Sequence, residues 1–181
     1  MTVTRVEHPA TGLRGAYRDV LRDPAGRVVW DRGWQHNAIV ADCRRLLATF
    51  MRGVPSSVGV FGLAVGAGLS QWDDTGPPPP TTGQIALVDP SPFTVGAANL
   101  QIDFLDGGTV SGTPTNQIQI QATLGPGVPP WPGGNHPTGN LREFGLVGKL
   151  AGNNVLINYV THLVIAKDPA STLERAIWLT F

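Results

Sequence analysis

The chain has 181 residues and a formal net charge of zero, from 13 basic and 13 acidic side chains. Charged residues make up only 14% of it, against about a quarter in ordinary globular domains, so its composition is not one that captures nucleic acid or an anionic membrane by electrostatics. Glycine (23) and proline (16) together exceed a fifth of the residues, which excludes a helical bundle and suits a loop-rich β protein, while the apolar runs between the turns are too strong for a disordered chain.

In chain order, residues 1–12 read as an N-terminal arm, ending in His8-Pro9-Ala10-Thr11-Gly12. Tyr17 to Trp30 reads as a hairpin. Asp23-Pro24-Ala25-Gly26 separates the runs 17–22 and 27–30, with proline and glycine at the positions a tight turn asks of them. Arg5, Arg14, Arg18, Arg22, Arg27 and Arg32 concentrate in this first third. They read first as a solvated sheet face and second as an interface to acidic groups of a neighbouring subunit.

Ile39, Cys43, Leu46, Leu47 and Phe50 recur at helical spacing, which predicts a helix over 39–52, capped by Asn37 and ended by Gly53 and Pro55. Cys43, the single cysteine, falls on the apolar face and reads as a buried thiol. Gln71 to Gly83 is a break containing Trp72 and the run Pro77-Pro78-Pro79-Pro80, a short polyproline segment that serves as a stiff linker or as a ligand for an aromatic groove.

Strands are expected at 85–88, 100–105 and 116–124. The last has the cleanest alternation. Ile118, Ile120, Ala122 and Leu124 face one way, and Gln117, Gln119 and Gln121 face the other, toward solvent or a neighbouring subunit. A second Pro/Gly-rich break, 125–140, holds Trp131 and His136. Loops of this length inside a compact domain tend to be functional. An indole there either folds back on its own domain or docks on a partner. Three further strands close the chain, at 141–148, 155–165 and 173–181, and the last side chains, through Phe181, are expected to be buried.

No catalytic, metal-binding or cofactor-binding pattern stands out. His8, His36, His136 and His162 lack ligand spacing and have no second cysteine to join them. Gly66-Ala67-Gly68 lacks the residues of a phosphate loop and reads as a strand end. Glu143, beside Phe144-Gly145, is the one acid that invites attention, as a group in a turn that binds backbone N–H groups or an arginine. Asp103, Asp106 and His136 are the residues that would have to join it in an active site. The N-terminus has no apolar signal segment, and the apolar stretch Val58 to Val65 is far too short to span a bilayer.

Two regions carry a resemblance. Asn37-Ala38-Ile39-Val40, a helix and Leu63-Ala64-Val65-Gly66-Ala67-Gly68 form one. Glu143-Phe144-Gly145-Leu146, Asn158-Tyr159-Val160, Lys167-Asp168-Pro169 and the closing strand form the other. They resemble the small tail-fibre, collar and baseplate-associated proteins of tailed phages and of phage-tail-like contractile particles. The resemblance covers Gly33 to Gly68 and Leu141 to Phe181. It implies a non-catalytic virion or particle component, assembled in a host cytoplasm. Its partners would be copies of itself and other tail or baseplate proteins, with neither nucleic-acid binding nor membrane insertion. The expected architecture is an antiparallel β-sandwich with one packed helix, one domain over 1–181, and interface arms at 71–83 and 125–140. Trp72, Pro77, Pro78, Trp131, His136 and the three glutamines are the candidate interface residues. The alternative is a receptor- or carbohydrate-binding module using the loop tryptophans.

Overall fold

A computed structural model describes residues 12–181; most of the expected N-terminal arm lies outside the described residues. The expectation of a mainly β chain with one main helix holds. The strands are β1 (Arg14–Arg22), β2 (Val28–Asp31), β3 (Gln35–Ile39), β4 (Val58–Gly66), β5 (Phe93–Gly96), β6 (Leu100–Asp106), β7 (Thr109–Ser111), β8 (Gln117–Leu124), β9 (Asn140–Leu150), β10 (Asn153–Leu156), β11 (Asn158–Ala166) and β12 (Thr172–Thr180). They join in one antiparallel sheet of twelve, ordered β5-β4-β9-β11-β3-β1-β12-β8-β6-β7, with β10 on β9 and β2 on β1. Ten of the strands thus follow one continuous hydrogen-bonded path.

The centre of the sheet is the part most legible in the sequence. β12 lies between β1 and β8, with Ile177 opposite both Tyr17 and Ile120. On β12 every second residue is buried: Leu173, Arg175, Ile177 and Leu179. Tyr17 of β1 meets Phe144 of β9 edge-on, ring centroids 5.1 Å apart, although two strands separate theirs in the sheet order. The sheet therefore curves until side chains from separate strands close over one core, which contains Leu63, Ile120, Leu141, Phe144, Leu173 and Ile177.

Helix α1 (Ala41–Arg52) covers β9 and β10. Cys43 and Leu46 are buried beneath it. Its approach is close enough that a Cβ on Gly148 of β9 would stand 2.9 Å from the Leu46 side chain. Gly53, at φ 71°, ends the helix with N–H bonds back to the last turn, as left-handed glycine caps do.

Several expectations are corrected. The helix starts at Ala41, because Ile39 is still in β3, paired with Asn158 of β11. Asn37 is likewise a strand residue and caps nothing; its amide lies against Gly15 without a hydrogen-bond partner. Phe50, placed on the apolar helix face, is exposed. Residues 85–88 form no strand. The run 155–165 is split at Ile157 into β10 and β11: the Asn158 side chain accepts the Leu146 N–H at 2.7 Å while Ile157 bonds the Leu146 carbonyl. Glu143 and Gly145 lie in the middle of β9 instead of in a turn. Phe181, beyond the last paired residue, is exposed.

Candidate functional site

The densest polar cluster surrounds Glu143, which is fully buried. Its Oε2 accepts the Val88 N–H at 2.9 Å and the Tyr159 hydroxyl at 2.6 Å, and its Oε1 accepts the Asp89 N–H at 2.6 Å. The carboxylate fits because its β4 neighbour in register is Gly66; a Cβ there would stand 2.7 Å from Oε1 and 2.9 Å from the Asp89 Cβ. Gly145, two residues on, is required by the crossing backbone, since a Cβ would stand 2.7 Å from the Asn158 carbonyl. Burial, and then the neighbouring Glu143 carboxylate, push the Tyr159 hydroxyl far above its ordinary pKa, so it stays a donor.

Asp89 continues the cluster. Its Oδ2 accepts the Ala67 N–H at 2.7 Å and meets His136 Nε2 at 2.7 Å, while Oδ1 accepts the Ser91 N–H at 2.8 Å. The His136 ring stacks on Trp131 with centroids 3.8 Å apart. Beside it, Arg142 holds Asp73 through two bonds of 2.7 and 2.6 Å and donates to the Ala67 carbonyl at 2.8 Å. That bidentate guanidinium holds the Asp73 carboxyl below its usual range. Asp73 sits on α2 (Trp72–Thr75), a short helix inside the first break, whose Trp72 is buried beside Gly68. A cavity of about 460 Å³ opens here, lined by Asp73, Asp89, His136, Arg142, Ser70 and Asn135 among others.

Chemically this arrangement is a staple. Glu143 takes three donors and Asp89 takes two N–H groups and the imidazole, so both carboxylates have firm partners and neither faces bulk water. The bonds join the end of β4, the irregular segment 84–91 and the 125–140 loop to β9. Asp103 and Asp106 lie on β6 and share no hydrogen bond or cavity with Glu143. Among the described residues, no three His, Cys, Asp or Glu side chains gather as a metal site requires, and no helix is long and apolar enough to cross a membrane.

A second buried set lies on the core face. Arg175 bonds Asp19, directly opposite it in register, at 2.6 and 2.8 Å, and its guanidinium sits 3.7 Å above the Phe144 ring. His162 Nε2 lies 3.3 Å from Arg175, and Nδ1 donates to the Leu163 carbonyl at 2.8 Å. Burial, reinforced by the Arg175 charge, lowers the His162 pKa to about 4. Cys43 is also buried, and desolvation pushes its thiol up to about 11, which leaves it unreactive.

The other candidate residues are dispersed. Trp72 and Trp131 are both buried against the chain itself, so neither indole is free as a stacking platform or an outward anchor. His136 is buried with them. Pro77 and Pro78 run beside β11, where Thr161 donates to the Pro78 carbonyl at 2.7 Å. Arg18, Arg22 and Arg27 pair with Asp31, Glu174 and Asp23 of the same chain. Gln117, Gln119 and Gln121 do form one row on the outer face of β8. Gln117 donates to Thr180, and Gln119 accepts the Trp178 indole N–H. Sequence reading missed Asp89, Arg142 and the Asp19–Arg175 pair, because an acid before proline or an arginine in a strand looks like surface. It also missed Trp34, which is exposed and packs on Trp178 at 4.3 Å. Comparison with protein families, curated proteins and solved structures finds no match for this chain.

Proposed function

We propose that this chain is a non-catalytic structural subunit of a phage tail or phage-tail-like particle, one that assembles with copies of itself and with other tail, collar or baseplate proteins. The particle comes from the two sequence regions that resemble such proteins. The assembly half rests on one observation, the uncovered end of the sheet. Ile102 and Phe104 of β6 stand opposite Ile120 and Ile118 of β8, on the face that elsewhere makes the core, yet they are 42% and 38% exposed. The edge strand β7 is paired only with β6. Apolar side chains that continue a core face into solvent mark a protein contact, and an unpaired edge beside them supplies backbone groups for pairing. The occupant we assign is a second copy of the chain.

The staple around Glu143 agrees with a structural role, because it holds long loops in fixed shape without leaving a free acid or base. Sedimentation velocity of the purified chain over a wide concentration range tests the reading. The expected result is a defined oligomer. A monomer at every concentration would overturn it.

A further inference from the structure

We infer that the outer face of β1, β12 and β8 is a binding site for a neutral glycan, built around the exposed indole of Trp34. This does not rest on the assembly reading. A chain that stays monomeric would sink that reading and leave this one standing.

Register makes the groove. Across the three strands, Arg18, Ala176 and Gln121 form one row, Ala16, Trp178 and Gln119 the next, and Arg14, Thr180 and Gln117 the third. Ala176 is small between two long side chains, so the first row is a trough. Trp178 in the second row is a ridge, and Trp34, from the loop before β3, lies on it. A groove of about 410 Å³ lies on the Trp34 side, lined by Arg18, Gln119, Gln121, Thr123 and Glu174. Another of about 350 Å³ lies past Trp178, lined by Arg14, His36, Gln117 and Thr180. The glutamines recur at every second residue of β8, so from Gln117 to Gln121 the row runs about 13 Å, enough for a short oligosaccharide.

The lining chemistry selects the ligand. The three charges beside the first groove are answered within the chain: Arg18 forks onto Asp31, Glu174 accepts from Arg22, and Arg175 is held by Asp19. An anionic or cationic ligand would therefore have to displace an existing partner. What remains in that groove are amides and a hydroxyl; the second groove adds Arg14 and the His36 imidazole. An indole N–H can only donate, so its 2.8 Å bond to Gln119 places the amide oxygen toward Trp178 and turns the NH₂ away from it. Gln121, which makes no side-chain hydrogen bond within the described residues, adds both a donor and an acceptor. Planar amides beside an exposed indole match a sugar ring, which offers hydroxyls at its edge and C–H groups on its face. A peptide strand is the poorer fit, since a sheet face lacks the free backbone groups that strand addition uses.

The test uses the described fold with its full chain. Maltotetraose, cellotetraose, chitotetraose and mannotetraose are titrated by calorimetry and by tryptophan fluorescence. At least one is expected to bind and to change the indole emission. Trp34→Ala, which removes the stacking face, and Ala176→Phe, which fills the trough, should each weaken that binding roughly tenfold or more. Unchanged thermal unfolding would show that both variants remain folded. Phe104→Ser, on the opposite face, should bind as the unaltered chain does. Failure of all four sugars to bind would overturn the inference. So would binding that survives both groove substitutions, or a result in which Trp34→Ala abolishes self-association and leaves sugar binding untouched.

Discussion

Glu143 is buried beneath a segment that forms no strand of its own, and it accepts the backbone N–H groups of Val88 and Asp89 as well as the Tyr159 hydroxyl. Glu143→Gln keeps the shape but replaces one acceptor oxygen with an NH₂ that must face a donor. A buried donor left without an acceptor costs about 1–3 kcal/mol, more when the partner was charged, so a loss of roughly 2–3 kcal/mol in urea unfolding is expected. An unchanged midpoint would show that the staple contributes little. Sequence reading singled out this acid and anticipated its backbone N–H partners. It did not find Asp89, because the bond that matters runs from the 84–91 segment to His136 in another loop, and nothing local in the sequence announces it.

His162 gives a pH dependence whose sign follows from burial. Its folded pKa is lowered from 6.5 to about 4, so between those values the unfolded chain takes up a proton that the folded chain refuses. Stability is therefore full above pH ~6.5 and falls as the pH drops toward ~4. A shift of that size corresponds to about 3 kcal/mol. The imidazole lies beside Arg175 and Phe144, and because Asp19 is already bonded to the guanidinium, a second cation there would have no counter-charge of its own. In His162→Gln the amide keeps a donor and an acceptor, so the fall in unfolding free energy between neutral and mildly acidic pH should shrink. An identical acid profile in the variant would assign the effect to other groups.

At the scale of elements, β12 is the strand the fold can least lose. It is hydrogen-bonded on both sides, and it contributes Leu173, Ile177 and Leu179 to the core together with the buried Arg175. Removal of residues 177–181 deletes two fully buried side chains, worth about 1.5–3 kcal/mol each. It also leaves facing groups of β1 and β8 unpaired. Domains of this kind hold only roughly 5–15 kcal/mol in total, so the truncated chain should be insoluble or melt far lower. Phe181→Ser, by contrast, should shift unfolding by no more than about 0.5 kcal/mol, because that side chain is exposed. Circular dichroism of the two variants separates the cases.

The same strands show which elements a sequence reveals. β8 and β12 bury one face, so their alternation is visible, and the β1–β2 hairpin carries its turn residues in sequence. The run 85–88 is apolar and short, but the N–H groups of its last residue, Val88, and of Asp89 after it go to Glu143, 55 and 54 residues away, where a strand would have placed them in a ladder. Asn37 and Ile39 looked like a helix entry because strand and helix periods coincide over so few residues; pairing with β1 and β11 decides for the strand. The loop tryptophans were legible as groups that must leave water. That they leave it within their own chain depends on Gly68 and His136, contacts no spacing rule supplies.

For the whole molecule, the asymmetry of the sheet is the property with functional weight. One end is covered by α1, the loops and the Glu143 staple. At the other end, Ile102 and Phe104 of β6 continue the apolar face of β8 into partial exposure. If that end is where copies meet, Ile102→Ser with Phe104→Ser removes two apolar anchors from the contact while touching side chains already more than a third exposed. The double variant should therefore unfold within about 1 kcal/mol of the parent. Its sedimentation should shift toward the monomer, and a contact that loses its central apolar groups should weaken by roughly ten- to a hundredfold in dissociation constant. Substitution on the outer face, such as Gln121→Ala, should leave the association unaltered. Were the double variant to keep the parent's oligomeric state, assembly would have to run through another surface, and the uncovered end of the sheet would lose its assigned role.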